Sequence, residues 1–297
     1  MNILVTGANG FLGQHLTLFL AAKGLRVWAT GRNECRIPGK QVFEYISADL
    51  TGRDAVNELI KTVRPQCVIH TAAMSKPDEC LLRPETCLQH NVEATHYLLE
   101  ASVELSKNVH FIYVSTDFIF GEGGPHTEDT RPEPLNFYGR TKWMAEQLVE
   151  QSGLPFCIVR PAFIYGELWE GMRPSFIQWV QQSLAKGQSI KVVGDQYRTP
   201  TYVLDLCAGI YAIATQLKTG PFHLAGDEVV TPYQLAVTTA EVLGLDKALI
   251  EEVSAQTFKE PVQRAKSSGL KIDKARQELG YSPVTCKEGI ARSFNYF

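Results

Sequence analysis

The sequence predicts an α/β protein built on a doubly wound parallel sheet, the Rossmann arrangement, with a smaller discontinuous α/β lobe attached. Three observations carry that reading. Short apolar runs alternate with longer segments of helical period from residue 2 to residue 160. The runs are apolar on both faces, as strands covered by helices on each side must be. A glycine-rich turn, Thr6-Gly7-Ala8-Asn9-Gly10-Phe11-Leu12-Gly13, joins the first strand to the first helix. Right-handed crossovers wind such an alternation into one sheet with helices on both faces.

In order, residues 2–5 (NILV) read as a strand and 11–22 as a helix ending near Gly24. Residues 26–30 and 42–46 are the second and third strands, 54–63 a helix stopped by Pro65, and 67–73 (CVIHTAA) a fully apolar fourth strand. Residues 85–105 repeat apolar side chains at helical spacing before the fifth strand, 109–114. A helix over 138–151 and a strand over 156–160 follow. Beyond Gly166 the pattern turns irregular, with short helices at 174–186, 203–216 and 233–243 and strands near 190–193 and 222–224. Residues 203–216 are apolar enough to pack back on the sheet. The expected division is therefore 1–165 plus 199–218 for dinucleotide binding, and 166–198 plus 219–297 for a substrate-binding lobe. No repeat, low-complexity tract or flexible linker separates the two, so a cleft between rigidly apposed lobes is the expected ligand site.

Composition narrows the function. With 29 basic and 32 acidic side chains the net charge is −3, which argues against a nucleic-acid partner. A hydrophobic content of 44% is too high for a disordered chain. No apolar run approaches the roughly 18 residues of a membrane helix, so no membrane partner is expected. The opening MNILVTG has no basic leader, and the expected location is cytoplasmic. Seven cysteines form no CxxC, and seven histidines no HxxxH, so no metal is expected. Cys67 and Cys157 fall in strand-like runs, where a buried thiol is the ordinary occupant.

The glycine turn has a physical logic. Gly7 can supply the tight turn, Gly10 lets backbone approach a pyrophosphate, and Gly13 lets helix pack on strand. The helix N-terminus then offers free N–H groups and a positive dipole end to the phosphates. Any loop collects glycine; the placement between first strand and first helix is what gives this one weight. About twenty residues on, where NAD enzymes carry an acid for the ribose, the chain reads Thr30-Gly31-Arg32. A guanidinium there suits a 2′-phosphate and favours NADP over NAD, the alternative being a solvated surface arginine. Asp49-Leu50 ends the third strand; Asp49 either receives an adenine amino group or caps the next helix.

Tyr138 and Lys142 are four apart, on one face of a helix. Upstream, the fifth strand ends in Ser115-Thr116-Asp117, and strand C-termini line the ligand crevice of a doubly wound sheet. A phenol of pKa about 10 is a poor proton catalyst until a neighbouring ammonium lowers it. Tyr138 could then give a proton to a carbonyl oxygen, with Thr116 hydrogen-bonding the same oxygen. Alone, YxxxK is a common accident; its position after the glycine turn and the strand end favours chemistry.

These pieces, with HTAA at 70–73, Asn91 in HNVEAT, VSTDFIFG, YGRTK and RPAFIYG, resemble the extended short-chain dehydrogenases/reductases. EDTRPEPLNFYGRTK, GDQYRTPTYVLDL and RAKSSGLKIDKARQELGY are most similar to the dTDP-4-dehydrorhamnose reductase branch, RmlD-like, over nearly the whole chain. The resemblance implies catalytic Thr116, Tyr138 and Lys142, with Lys142 also on the nicotinamide ribose. It implies that Ala72 and Ala73 run along the cofactor, that Asn91 supports the site, and that Asp117 reaches the sugar. Phe118 stands where a tyrosine often follows, which puts one sugar hydrogen bond in doubt. Arg198 is similar to an arginine aimed at the nucleotide diphosphate, and Arg264 is a second candidate; either is otherwise a loop arginine. Trp169 is placed where the lobe covers the sugar, unless it is core.

The implied activity is NADPH-dependent reduction of the 4-keto group of a nucleotide-linked deoxysugar. Two alternatives stay open: an epimerase or dehydratase that retains NAD, and a non-catalytic NADP-binding subunit like the beta subunit of methionine adenosyltransferase. A homodimer is compatible with the branch, and nothing in the sequence compels it.

Overall fold

In the computed structural model, residues 1–39, 42–258 and 261–295 are described. β1 (Asn2–Thr6) sends Ile3 and Val5 into one hydrophobic core and Leu4 into a second, as a strand buried on both faces must. Around it lie β2 (Arg26–Gly31), β3 (Glu44–Ser47), β4 (Cys67–His70), β5 (His110–Val114) and β6 (Phe156–Arg160). β7 (Ile164–Tyr165), β8 (Ile190–Val193) and β9 (Thr201–Tyr202) precede β10 (Gly220–His223), and β11 (Ile250–Val253) follows. Seven strands form one sheet in the order β10-β6-β5-β4-β1-β2-β3, every pairing parallel. The strand order reverses between β1 and β4, which opens the crevice at their C-terminal ends.

The helices are α1 (Phe11–Ala22), α2 (Arg53–Val63), α3 (Pro77–Leu82), α4 (Pro84–Leu88), α5 (Ala94–Leu105), α6 (Phe137–Gln151), α7 (Phe176–Ala185), α8 (Val203–Gln216), α9 (Pro232–Leu243), α10 (Asp273–Leu279) and α11 (Cys286–Ser293). α2 ends at Arg64, in left-handed backbone, just before Pro65. α8 returns to the sheet and packs on α1, burying Val203, Leu206, Ile210 and Ile213 in the same core as β1. α2, α5 and α6 cover the other face.

Three expectations change. The single helix over 85–105 is interrupted: Gln89–Glu93 form a π-turn between α4 and α5, and α3 precedes them unforeseen. The boundary at 219 moves, because β10 pairs with β6 in the main sheet and α10 packs on β10 and α8. Apolar residues 222 and 224 belong there because the edge beside β6 needs a partner. The lobe itself holds two small parallel pairs, β8 with β11 and β7 with β9, under α7, α9 and α11. Neither β7 nor β9 was expected, each being two residues long. Among the described residues no helix is long and apolar enough to cross a membrane.

Candidate active site

The nucleotide end of the crevice is made of backbone. Gly7 has φ +69°, and a Cβ there would stand 2.6 Å from the Ala72 nitrogen, so only glycine lets the turn after β1 press against the end of β4. A Cβ on Gly13 would meet the Gly7 carbonyl oxygen at 2.2 Å. Gly10, exposed, starts α1 with no side-chain cap and no acid in the first turn. The leading N–H groups of α1 are thereby left to an anion. This cradle and the uncapped dipole fit a dinucleotide diphosphate.

The residues around it divide in role. Phe11 is half-buried at the first turn, while Leu12 and Leu50, two of the expected cofactor-binding positions, send their side chains into the core. Asn9 does not offer its amide outward. Its Nδ2 donates to the carbonyls of Arg32 and Glu34, both at 2.9 Å, and its Oδ1 accepts from the Arg36 N–H at 2.9 Å. Asn9 therefore shapes the loop that presents Arg32. Arg32 is exposed, and its charge helps hold the Asp49 carboxyl below its usual range, after the larger effect of the Thr51 N–H bond. Asp49 Oδ1 accepts from both the N–H and hydroxyl of Thr51, at 3.0 and 2.9 Å, a local turn ahead of α2; it does not cap that helix, whose N-cap is Gly52 with no side-chain cap. Ala72 and Ala73 are half-buried along the turn after β4. Asn91 sits in the π-turn, fully buried; its Oδ1 accepts from Met74 N–H at 2.7 Å and its Nδ2 donates to Thr141 at 3.0 Å. It ties that turn to α6.

The catalytic end is made of buried side chains. Asn136 caps α6 by accepting from the Gly139 N–H at 2.9 Å. A Cβ on Gly139 would lie 2.1 Å from the Phe118 carbonyl oxygen, so glycine lets α6 close on the turn after β5. That contact brings Tyr138 close to Thr116, which opposes the rise in its phenol and whose hydroxyl donates to Asp117 at 3.2 Å. Phe118 meets the Tyr138 ring edge-on at 5.6 Å. Lys142 lies one turn along α6, fully buried; its Nζ donates to the Val114 carbonyl at 2.8 Å and stands 4.1 Å from the Tyr113 ring centre. A turn further, Glu146 and Arg160 form a buried two-pronged pair at 3.1 and 2.7 Å.

One electrostatic expectation is overturned. Burial pushes the Tyr138 phenol well above its ordinary value, against the Thr116 hydrogen bond, and the Asp117 charge adds to the rise. Burial also lowers Lys142 to about 7, opposed by Glu146. Lys142 is not among the groups that shift the phenol; the influence opposing desolvation there is Thr116. Alone, the protein keeps Tyr138 as a neutral phenol.

The expected substrate residues are redistributed. Asp117 is buried, accepting from Ser268 at 3.0 Å and Thr116 at 3.2 Å, with burial raising its carboxyl and Arg198 opposing. Arg198, also buried, donates to the carbonyl of Ala265 at 2.6 Å and to Gln196 at 3.2 Å. Asp117 and Arg198 thus belong to one internal cluster beside a small pocket that Arg198 lines together with Phe118, Phe120, Leu135 and Ser268. Arg264 pairs with Asp78 at 3.1 Å, joining residues 262–270 to α3. The Trp169 ring stacks on His15 of α1 at 4.0 Å, because the segment after β7 folds over the first turns of that helix.

Three residues escaped the sequence reading. Arg36 adds a second exposed guanidinium to the loop held by Asn9; its spacing from Arg32 was the available signal. Ser268 closes the Asp117 cluster from far along the chain. Phe163, after β6, has φ +43° and is 36% exposed. A bulky residue held in left-handed backbone costs roughly 1–2 kcal/mol, and here Thr201 clasps Ala162 through 3.2 and 2.6 Å hydrogen bonds. Among the described residues no group of three or more His, Cys, Asp or Glu side chains is placed to hold a metal ion.

Fold and site together define an oxidoreductase of the extended short-chain dehydrogenase/reductase type. The chain belongs to the RmlD substrate binding domain family, which matches residues 1–297. It is 31% identical over 296 residues to the probable low-salt glycan biosynthesis reductase Agl14 of Haloferax volcanii, spanning 98% of this chain and 96% of the relative. It is 27% identical over 258 residues to methionine adenosyltransferase 2 subunit beta of Rattus norvegicus, spanning 85% and 75%. The crystal structure of dTDP-4-dehydrorhamnose reductase from Bacillus anthracis, solved with NADP, matches with a TM-score of 0.87 over 100% of this chain and 99% of that one, at 24% identity.

Proposed function

We propose that this protein is an NADPH-dependent reductase of the 4-keto group of a nucleotide-linked deoxysugar, working in the cytoplasm, where such sugars and reduced cofactor are found. The observation that carries the reading is the convergence of buried Thr116 at the end of β5 with Tyr138 and Lys142, one turn apart on α6. NADPH, when bound, supplies the hydride. The α1 N-terminus and the glycine turn hold its diphosphate, and Arg32 with Arg36 stand where a 2′-phosphate is recognised. Tyr138 holds the proton that the substrate carbonyl oxygen receives, Thr116 orients that oxygen, and Lys142 positions the ribose. A phenol kept protonated suits reduction, where the tyrosine must donate.

The retained-NAD reading is disfavoured by Arg32 in place of an acid. A dehydratase would also need Asp117 free beside the sugar, and Asp117 is engaged by Ser268 and Thr116. The regulatory-subunit reading is supported by the methionine adenosyltransferase relative.

The test is NADPH oxidation by purified protein with dTDP-4-keto-6-deoxy-L-mannose, run against NADH and against Tyr138→Phe. Expected is turnover preferring NADPH and falling about 10²-fold or more in the variant, with cofactor binding retained. Equal turnover in Tyr138→Phe sinks the assignment. Tight NADPH binding without turnover points to another keto sugar or to the regulatory subunit.

A further inference from the structure

A chain of buried polar side chains joins the two ends of the site. It starts at Thr6, the last residue of β1 and the one before Gly7, whose carbonyl is fixed by the Thr71 hydroxyl at 2.7 Å. The Thr6 hydroxyl oxygen stands 2.6 Å from His70 Nδ1, and His70 Nε2 stands 3.1 Å from the Thr95 hydroxyl oxygen. Thr95 donates to the Asn91 carbonyl at 2.8 Å. Asn91 Nδ2 donates to Thr141 at 3.0 Å, and Thr141 donates to the Tyr138 carbonyl at 2.8 Å. All five side chains from Thr6 to Thr141 are fully buried.

The direction of each bond follows from the proton count. Thr95 has one hydroxyl proton, and it points at Asn91. Thr95 therefore accepts from His70, which places the imidazole hydrogen on Nε2 and leaves Nδ1 to accept from Thr6. Every donor in the chain then has its acceptor. His70 also ends β4, a strand whose other residues are Cys67, Val68 and Ile69. An aliphatic side chain would fill that end without burying a polar ring. A fully satisfied buried network does something packing cannot, which is to hold the elements it joins in one arrangement. The link from α5 to α6 is made by Asn91 in the π-turn, a distortion that gathers at functional sites.

We propose that His70 and Thr95 are positioning residues for the reduction: the chain they complete sets the Tyr138 helix at a fixed distance from the glycine turn. The inference rests on the reductase reading. Both side chains are buried, so neither has a surface with which to touch cofactor or substrate. They act through Thr6 at one end and Asn91 at the other. A displacement of about 1 Å between a held cofactor and a proton donor costs up to roughly 10²-fold in rate, even when its cause lies away from the chemistry.

The test compares Thr95→Val, close in shape but without the hydroxyl, with Thr95→Ser, which keeps it. Expected in Thr95→Val is a fall of roughly 10- to 100-fold in kcat for keto-sugar reduction, with KM and the NADPH Kd near the parent values. Thr95→Ser should keep a kcat near that of the parent. The double variant His70→Leu with Thr95→Val makes both partners apolar, so it should regain much of the urea midpoint that Thr95→Val loses while its kcat stays low. A kcat that recovers with the midpoint overturns the proposal, as does a Thr95→Val protein as fast as the parent. Should Thr95→Val fail to fold, Thr141→Val against Thr141→Ser breaks the chain at its other end and is read in the same way. Amide exchange over residues 137–142, followed without substrate, should quicken in the valine variant and not in the serine variant; unchanged exchange also overturns the proposal. A parent protein that reduces no keto sugar counts against the reductase reading alone, since exchange on α6 reports the positioning directly.

Discussion

The nucleotide end and the catalytic end of the site meet at the tips of the same parallel strands, yet they are built from different materials. At the nucleotide end, closely packed glycines and unpaired N–H groups form the surface, and the charges around them, Arg32, Arg36 and Asp49, are exposed. At the catalytic end the polar groups are buried and hold one another: Thr116 with Tyr138, Asp117 with Ser268, Glu146 with Arg160. Exposed charges act through a solvent-screened field, so changing one alters affinity for an anion and leaves the fold alone. Buried charges are each other's solvent, so losing one is felt first as lost stability.

The sharpest way to break this contrast is Glu146→Ala. It strands Arg160 in the core and should cost about 3–5 kcal/mol in urea unfolding; an unchanged midpoint would mean that the buried end is not interlocked. Arg32→Asp should act at the other end, shifting the NADPH-to-NADH affinity ratio by roughly ten- to a hundred-fold, the scale of a charge-assisted hydrogen bond. Its unfolding midpoint should match the parent. A lowered midpoint would erase the distinction, and an unmoved ratio would refute the 2′-phosphate site. The smallest effect is in pH. Burial lowers His70 and His223 to about 3, from an ordinary 6.5. Below pH 6.5 the unfolded chain binds protons that these folded imidazoles refuse, so stability falls as pH falls through this window, by at most about 1.4 kcal/mol per unit for each. Asp117, raised by burial, opposes them at the acid end. Melting followed from pH 7.5 to 5 checks the sign; a rising stability on acidification would sink it.

How much of this was visible in the sequence depends on the range of the interaction. The central strands were readable because a strand covered on both faces must be apolar throughout, and CVIH and HFIYV are interpretable without their neighbours. The glycine turn and the Tyr138–Lys142 spacing are equally local. The π-turn at Gln89–Glu93 adds a residue to a helical pattern that runs on unbroken through it. β7 and β9 are too short to show a period. Asp117 looked like a free arm because Ser268, 151 residues away, lies outside any motif around it. The charge on Lys142 misled for the same reason: spacing shows the tyrosine four residues back, but not the depth of burial that lowers the ammonium to about 7.

The late arrival of β10 shapes the life of the nascent chain. β6 is complete at Arg160, but its partner at the sheet edge is not made until His223, after the first part of the lobe. At about 5–20 residues per second a ribosome leaves that strand edge bare for several seconds. During that interval Phe156–Arg160 offers unpaired N–H and C=O groups to any extended segment nearby. This protein should therefore recruit chaperones while β7 to β9 emerge, and synonymous codons that slow this stretch should raise aggregation without altering the finished molecule.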